Sequence, residues 1–368
     1  MIPVFEPLIG DQEIAYVTDA LRRGEISGNF GSYLDRFEKG FAEYCGCKHG
    51  IAVTSGTTAL HLAVDAAGVG QGDEVLVSAS TNIATALGVY HNGGMPVPVD
   101  SENLTWNLDL ELIEALITPR TKAIIPVHLF GHPVDMDRLM EIAKRHNLVV
   151  IEDCAESHGA TVRGRMTGSF GDMACYSFYA NKVITTGEGG MVTTNDDALA
   201  ERLRLLRNLG FTKPRFRHEV AGYNFRMTSY QAAMGLAQLE KIEQIIADKR
   251  RVAATYNALL GKVPGLRLPV ELNWARNVYW MYALTVEPEF GLTRDELAGR
   301  LAKAGIETRT FFCPMNQQPI LKEMPGFQSD KCPVADGLWE RGLYLPSAPS
   351  LSDEKLQYVA DAVVKARS

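Results

Sequence analysis

Between residues 50 and 195, short apolar runs rich in β-branched residues alternate with amphipathic stretches. The apolar runs read GIAVT, EVLVSAS, MPVPVD, KAIIPVHLF and LVVIED, and helical spacing recurs between them. This alternation predicts a series of βαβ units, and therefore a mostly parallel sheet with helices on both faces. Ligands of such sheets collect beyond the carboxyl ends of the strands, so candidate chemistry is sought there.

The pattern changes after the run LVVIED. Two shorter runs, MACYSFY and GGMVTTN, precede a helical segment that begins near Asp197. Apolar positions over residues 228–260 keep helical spacing, which predicts one long helix or two abutting helices. The remaining runs, among them NVYWMYALTV and GIETRT, predict a small α+β region. We therefore expect a large domain over residues 1–240 and a smaller C-terminal domain over residues 241–368.

Composition limits the partners and the location of the chain. With 368 residues, 46% of them apolar, it can bury a large core. A formal net charge of -7 and the lack of a basic face argue against nucleic acid and anionic membranes as partners. No apolar run approaches the roughly 18 to 20 residues of a membrane span, and no signal-like segment opens the sequence, so we expect a cytoplasmic protein. The six scattered cysteines predict neither a disulfide framework nor a metal site.

The first candidate site is the segment TSGTTAL, residues 54–60, which follows the run GIAVT and opens a helix. Backbone N–H groups at a helix start are unpaired and favour anions, so Gly56, Thr57 and Thr58 are placed to hold a phosphate. An ordinary helix cap uses the same residue types, and this segment alone leaves both interpretations open.

Two further elements carry ionisable groups. The run LVVIEDCAE delivers Glu152, Asp153 and Glu156 to a strand end, where a buried carboxylate suits a protonated pyridine nitrogen, a metal or a helix cap. The turn in YSFYANKVITTGEGG holds Ser177 and Lys182, and a desolvated lysine is a nucleophile that can form an imine. A surface lysine is the ordinary alternative. Together with the phosphate-ready helix start, these groups are the three handles that hold pyridoxal phosphate.

Six segments carry a resemblance to a known family: SGTTAL, VHLFGHPVDMD, VIEDCAES, GSFGDMACYSFYANKVITTGEGG, GYNFRMTSYQAAMGLAQLE and LYLPSAPSLSDEKL. They resemble the DegT/DnrJ/StrS family of sugar aminotransferases over essentially the whole chain. The resemblance implies an aspartate-aminotransferase-like α/β fold, fold type I of the enzymes that use pyridoxal phosphate. In that fold a large domain holds a seven-stranded, mostly parallel sheet between helices, and a smaller α+β domain follows.

The resemblance also implies the reaction. Pyridoxal 5'-phosphate is the expected cofactor, and L-glutamate, which leaves as 2-oxoglutarate, is the expected amino donor. The expected acceptor is the C4 ketone of a nucleotide-linked 4-keto-6-deoxy sugar, best matched by GDP-4-keto-6-deoxy-D-mannose. The product would serve O-antigen or other glycan synthesis.

The resemblance also assigns roles to individual residues, position by position. Lys182 matches the lysine that forms the Schiff base with the cofactor, and Asp153 matches the carboxylate that pairs with the pyridine nitrogen. Gly56, Thr57 and Ser177 match contacts to the cofactor phosphate.

Three other positions are expected near the cofactor. Glu156 stands where many relatives have glutamine beside the cofactor hydroxyl. Asn82 takes the place of an aromatic residue that stacks on the pyridine ring in relatives. Asn224, in GYNFRM, matches an asparagine that reaches the phosphate of the neighbouring subunit, which implies a homodimer with shared active sites.

Substrate contacts are less specific in the sequence. Arg226 and Arg309 are candidates for the donor carboxylate or the nucleotide phosphates, because guanidinium groups suit both anions. Asn316 is a third candidate, and with Cys313 it stands where the most similar relatives have histidines. His128 and His132, near a strand end, are either substrate contacts or structural residues.

Several alternatives stay open at this point. The acceptor could be a dTDP- or UDP-linked sugar with a ketone at C3 or C4, or a cyclitol ketone. A sugar dehydratase using the same cofactor has histidine in place of the lysine, so Lys182 argues against it. A nicotinamide-binding protein is suggested by GVGQGDE, but this run precedes a strand and lacks GxGxxG spacing. A regulatory protein that binds the cofactor without catalysis is the last alternative, but nothing in the sequence resembles the basic tail that would support it.

Overall fold

A computed structural model describes residues 1–214, 216–327 and 332–367 of the chain. The α-helices, in chain order, are α1 Asp11–Arg22, α2 Tyr33–Cys45, α3 Gly56–Ala66, α4 Ala84–Tyr90, α5 Ile113–Leu116, α6 Met136–His146, α7 Asp197–Arg207, α8 Ser229–Leu239, α9 Ile242–Leu260, α10 Arg294–Lys303, α11 Pro319–Lys322, α12 Pro333–Arg341 and α13 Asp353–Lys365. The strands are β1 His49–Val53, β2 Glu74–Ser78, β3 Met95–Val99, β4 Thr121–Ile125, β5 Val149–Asp153, β6 Thr161–Val162, β7 Arg165–Met166, β8 Met173–Ser177, β9 Gly190–Thr194, β10 Leu266–Arg267, β11 Ala275–Arg276, β12 Tyr282–Val286, β13 Arg309–Thr310 and β14 Gly342–Leu345. Short 3-10 helices in these ranges lie at Leu110–Leu112, Leu129–Gly131, Pro288–Phe290 and Met315–Gln317.

The largest sheet of the described ranges has seven strands in the order β1-β9-β8-β5-β4-β2-β3. Every neighbouring pair is parallel except the two pairs that β9 makes. Side chains alternate between the faces of each strand. In β2, Val75 and Val77 join an apolar cluster with α3 and α7, whereas Leu76 joins a cluster with α6 on the other face. The predicted mostly parallel sheet between helices is therefore confirmed.

The sheet brings distant parts of the sequence to one edge. β5 and β8 are parallel neighbours, with Asp153 opposite Cys175, so both strands end at the same edge. β1 also ends there, and the chain enters α3 directly after it. The carboxyl ends of three strands and one helix N-terminus therefore meet where ligands of α/β sheets bind.

The predicted helical segment over residues 228–260 is two abutting helices, α8 and α9, separated at Glu240 and Lys241. Beyond them, β10, β12, β14 and β13 form a second, four-stranded sheet in the part that the structure describes. The first residues of the chain join this region, since Ile2 forms a bridge with Ile306 and Val4 N–H donates to Glu307 at 3.0 Å. The division into residues 1–240 and 241–368 stays a prediction.

The strand predicted within NVYWMYALTV begins only at Tyr282. Asn277 prevents an earlier start, because its side-chain oxygen accepts the Tyr279 N–H at 2.8 Å and its own N–H donates to Glu271 at 2.8 Å. Such local bonds compete with strand pairing. Tyr279 takes a positive φ of 48°, and the chain turns before Trp280.

Glu152 is a fully buried carboxylate on β5, next to Asp153 in sequence and therefore on the opposite face of the strand. Its oxygens accept the backbone N–H groups of Gly168, Phe170 and Gly171 at 2.7, 2.8 and 2.8 Å. His128 Nε2 lies 3.2 Å from the same carboxylate. Glu152 therefore fastens the loop before β8 to the centre of the sheet.

His128 and Cys154 complete this buried cluster. The side-chain donor atoms of His128, Glu152 and Cys154 lie within 4.8 Å of one another, a spacing that metal ligands also show. His128 Nδ1, however, accepts the Val134 N–H at 3.1 Å, which leaves Nε2 as the donor to Glu152. These hydrogen bonds account for the burial of both side chains, and they favour the structural interpretation of His128.

None of the helices described above combines the length and the apolar content that crossing a lipid bilayer requires.

Replacing Glu152 with alanine should lower the free energy of unfolding by about 3 to 5 kcal/mol, because three buried N–H groups and His128 lose their acceptor. Guanidinium denaturation followed by circular dichroism measures the change. Glu111→Ala is the control: this carboxylate is 73% exposed and pairs with Arg138 at 2.5 Å, so its loss should cost less than about 1 kcal/mol. Similar small losses in both variants would contradict the structural role of Glu152.

Candidate active site

Side chains at the carboxyl edge of the large sheet line a cavity of about 350 Å³. Seven residues predicted from the sequence line it: Gly56, Thr57, Asn82, Asp153, Glu156, Ser177 and Lys182. Its wall also contains residues that were not predicted from the sequence, including Ser55, Asn181, Glu188, Trp280, Phe312 and Tyr344. The geometry therefore gathers most of the predicted cofactor residues in one place.

The N-terminus of α3 forms one end of the cavity. Ser55 caps the helix, because its hydroxyl accepts the Thr58 N–H at 3.1 Å and the Thr58 hydroxyl accepts the Ser55 N–H at 3.0 Å. Among the described residues, the N–H groups of Gly56 and Thr57 have no acceptor. Thr58 therefore serves the cap, and the two preceding N–H groups remain free to bind an anion.

Gly56 also sets the shape of this end. A Cβ atom at Gly56 would lie 2.7 Å from Cβ of Ser177, which is closer than carbon atoms can pack. Glycine at this position therefore lets the Ser177 hydroxyl, at the end of β8, approach the start of α3. The result is a small cradle of backbone and hydroxyl donors.

Asp153 lies at the end of β5 with only 4% of its surface exposed. One carboxylate oxygen accepts the Thr85 hydroxyl at 2.8 Å, and the other accepts the Ala155 N–H at 3.1 Å. Burial raises the pKa of Asp153, although these hydrogen bonds oppose the shift. A cation placed against this fixed carboxylate would offset the cost of its burial.

Lys182 follows β8 in a turn, where its backbone N–H donates to the Tyr179 carbonyl at 2.9 Å. Its Nζ atom lies 4.0 Å from the centre of the Trp280 ring. Burial lowers the pKa of Lys182, while the charges of Glu156 and Asp153 oppose this effect. A lysine with a lowered pKa is more often the free base, which is the nucleophilic form.

Glu156 is the second carboxylate of the cavity, and it is 3% exposed. It accepts the Phe130 N–H at 2.7 Å. Burial raises the pKa of Glu156 to about 7, against the opposing charge of Lys182. This carboxyl group therefore exchanges a proton near neutral pH.

The two predicted asparagines lie in different surroundings. Asn82 lines the cavity and is exposed, and its side-chain oxygen accepts the Ala84 N–H at 3.0 Å at the start of α4. Asn224 is exposed and is not among the residues that line the cavity of its own chain.

The predicted substrate residues are not all brought to the cavity. The Arg226 guanidinium donates to the Asn208 side chain at 2.8 Å, away from the cavity lining. Asn316 is 3% exposed, and its amide donates to Asp336 at 3.1 Å. Arg309 is exposed and lines an adjoining cavity of about 400 Å³, which shares Tyr179, Asn181 and Tyr344 with the first.

Two contributors were not predicted from the sequence. Trp280 lies in a run that was interpreted only as a strand, and nothing local announces that it reaches Lys182. Thr85 lies just beyond β2 at the start of α4, so the rule of searching strand ends would have found it.

The family comparison adds an independent finding. The model of the DegT/DnrJ/EryC1/StrS aminotransferase family matches residues 7–364. The chain belongs to this family. It is similar to GDP-perosamine synthase of Caulobacter vibrioides, with 45% identity over 98% of this chain and 97% of that protein. GDP-perosamine synthase of Escherichia coli O157:H7 is 41% identical over 98% and 97%.

Solved structures agree with the family model. The chain resembles the Streptococcus pneumoniae protein Spr1654 in its PLP form, with a TM-score of 0.93 and 28% identity over 100% of this chain and 98% of that one. This aminotransferase is therefore a sugar aminotransferase that depends on pyridoxal phosphate.

The cavity of this DegT/DnrJ/EryC1/StrS aminotransferase fits that cofactor. The cradle at Gly56 offers donors for a phosphate, Asp153 offers a carboxylate for a protonated ring nitrogen, and Lys182 offers a primary amine. The buried Asn181 side-chain oxygen lacks a hydrogen-bond partner among the described residues, so it has an acceptor to spare.

Replacing Gly56 with alanine should weaken pyridoxal phosphate binding by about tenfold or more, because the added Cβ collides with Ser177 and distorts the cradle. Fluorescence titration of the cofactor-free protein measures the dissociation constant. Gly299→Ala on α10 is the matched control, since a Cβ there meets nothing within 4 Å. Unchanged affinity in Gly56→Ala would rule out the cradle as the phosphate site.

Proposed function

We propose that this aminotransferase transfers the amino group of L-glutamate to C4 of GDP-4-keto-6-deoxy-D-mannose and thereby makes GDP-perosamine. The observation that carries the proposal is the likeness, over nearly the entire chain, to two enzymes named for that product. A 4-amino sugar arises by transamination of the corresponding 4-keto sugar, which identifies the acceptor. The product would enter O-antigen or other glycan synthesis.

The proposal assigns a role to each group of the cavity. Bound pyridoxal phosphate supplies an electron sink, which stabilises negative charge at the carbon that loses a proton. Lys182 provides the amine that holds the cofactor, and its Nζ atom also takes and returns the proton that moves during the transfer. The carboxylate of Asp153 would face the ring nitrogen and keep it protonated. The N–H groups of Gly56 and Thr57 and the Ser177 hydroxyl would hold the phosphate.

Glu156 assists these steps through its own proton. Because the pKa of Glu156 is about 7, its carboxyl can be neutral while Lys182 is the free base and charged while Lys182 is an ammonium. The total charge of the cavity then changes little as Nζ gains or loses a proton. Aromatic side chains, among them Trp280, Phe312 and Tyr344, line the same cavity and limit the entry of water.

Substrate contacts are assigned with different support. Arg309 is favoured for the nucleotide phosphates, because it lines the cavity that adjoins the cofactor site. Arg226 and Asn316 are retained as substrate contacts. All three side chains already have partners: Glu307 for Arg309, Asn208 for Arg226 and Asp336 for Asn316. An active conformation in which they reach substrate would have to break those bonds.

A homodimer with shared active sites is also part of the proposal. Asn224 is exposed in its own chain, as expected for a residue that serves the site of a second copy. Several large apolar side chains are exposed near α1, including Ile14 at 60%, Leu21 at 53% and Phe30 at 71%. A second copy that covers them would remove an apolar surface from water.

Turnover of purified enzyme with L-glutamate and a panel of nucleotide-linked keto sugars tests the reaction. We expect kcat/KM for the GDP-linked 4-keto sugar to exceed that for dTDP- and UDP-linked sugars by about hundredfold. Borohydride should trap the cofactor on a peptide that contains Lys182, and Lys182→Ala should neither trap it nor turn over. Exclusive activity on a dTDP- or UDP-linked sugar, or on a cyclitol ketone, would refute the GDP assignment.

Mixing two inactive variants tests the shared sites. If Asn224 serves the neighbouring subunit, then Lys182→Ala and Asn224→Ala chains, refolded together in equal amounts, form mixed dimers with one intact site. Random pairing predicts recovery of about a quarter of the wild-type activity, because half of the dimers are mixed. Refolded single variants are the controls. Activity of the mixture no higher than the mean of the controls would exclude sharing through Asn224.

A further inference from the structure

We propose that Trp280 is a positioning residue for Lys182, and that its indole face holds the Nζ ammonium inside the cavity while this nitrogen is not bonded to the cofactor. The inference rests on the proposed function of Lys182. It adds a residue that neither the sequence nor the family comparison assigned.

The contact between the two side chains is close and specific. Nζ lies 4.0 Å from the ring centroid of Trp280, within the roughly 6 Å over which a cation is attracted to an aromatic face. Among the described residues, Nζ donates no hydrogen bond, and Glu156 and Asp153 act on it through their charges. Within the part of the chain that the structure describes, the indole face is therefore the group in direct contact with the ammonium.

The other charged groups near Nζ act at longer range. Asp153 at the end of β5 and Glu156 just after it attract the ammonium. The charge of the ammonium also helps to lower the pKa of the buried His158 side chain. Glu188 and Tyr179 line the same cavity. The two nearby carboxylates accept hydrogen bonds from Thr85, Ala155 and Phe130, not from Nζ. Charge thus favours the ammonium, and the indole face is the group among the described residues that fixes its position.

The indole ring is itself held in place by the residue that precedes Lys182. Its Nε1–H donates to the carbonyl oxygen of Asn181 at 2.7 Å, and Asn181 directly precedes Lys182. The ring of Phe130 lies parallel to it, with an interplanar angle of 9° and 6.3 Å between centroids. Trp280 is 3% exposed. These contacts hold the indole ring in a defined position relative to the turn that carries Lys182.

The backbone of Trp280 is fixed from the other side. Gly131 has a φ of +101°, and a Cβ at this position would lie 2.9 Å from the Trp280 nitrogen and 2.8 Å from the Tyr279 nitrogen. Its carbonyl accepts the Val278 N–H at 3.2 Å. The left-handed turn at Gly131 thus packs directly against the residues before β12. A free lysine has a flexible four-carbon chain, and this fixed aromatic surface restricts where its ammonium can lie.

The pKa of Lys182 in the full-length, cofactor-free protein tests the contact. The rate of Lys182 acetylation by acetic anhydride is measured by mass spectrometry between pH 6 and pH 11, the range in which lysine titrates (about 10.4 when unperturbed). An aromatic face stabilises the charged form, so replacing it with a non-aromatic side chain that still excludes water should lower the pKa. Trp280→Leu keeps the site apolar and should lower the pKa by about one unit, and Trp280→Phe by about half a unit.

Two controls separate this effect from general damage. Trp274→Leu removes an indole that contacts Arg163 and lines a different cavity from the one that holds Lys182, so it should leave the pKa of Lys182 unchanged. Lys39, 79% exposed, is the internal reference for reagent and pH in each sample. A Lys182 pKa that stays the same or rises in Trp280→Leu overturns the proposal. If that variant does not fold, the same criterion applies to Trp280→Phe.

Turnover and trapping distinguish the failure of this inference from the failure of the proposed function. We expect Trp280→Leu to be trapped by borohydride on Lys182, with kcat about tenfold lower and KM for glutamate changed less than about twofold. Trapping on Lys182 without a pKa change would remove the role of Trp280 and leave that of Lys182 intact. A wild-type protein that is not trapped at Lys182 would instead refute the proposed function.

Discussion

Asp153, Glu156 and Lys182 share one buried cavity, and the balance of charge among them constrains the surrounding structure. Two carboxylates and one ammonium would leave an excess negative charge in a region with little water, which is costly. The structure limits this cost in two ways. Hydrogen bonds from Thr85 and Ala155 fix Asp153, whereas the raised pKa of Glu156 lets that group take up a proton. In the proposed function, a cationic ring nitrogen opposite Asp153 would complete the balance.

The fold serves this balance by delivering each group from a rigid element. Asp153 and Ser177 end parallel strands, and Gly56 begins the helix that follows a third strand. Lys182 comes from a turn, the least regular of these positions, and in the proposed reaction it is the group that would move. The contacts of that turn with Trp280 compensate for its lack of regular structure. Proton transfer at a fixed cofactor requires carboxylates in fixed positions and an amine whose range of positions is restricted.

Much of this arrangement could be predicted because its signals are local. The alternation of apolar runs predicted the sheet, and the rule that ligands bind at strand ends predicted the region of Gly56, Asp153 and Ser177. Trp280 could not be predicted in this way, since it reaches Lys182 only through the turn at Tyr279 and its packing on Gly131. Arg226 and Asn316 show the converse. Their residue types suit anions and sugars, but partners distant in sequence, Asn208 and Asp336, occupy their polar groups.

Strand β5 places two acidic residues of unrelated purpose side by side. Glu152 faces the interior and fastens the loop before β8, and Asp153 faces the cavity. Since strand side chains alternate, slipping β5 by one residue against β4 and β8 would send each carboxylate to the other face. The loop would then lose its anchor at the same moment that the cavity lost its counter-charge. A chain with β5 in the wrong register would thus be both unstable and inactive. Correct folding and catalytic activity therefore depend on the same pair of neighbouring residues.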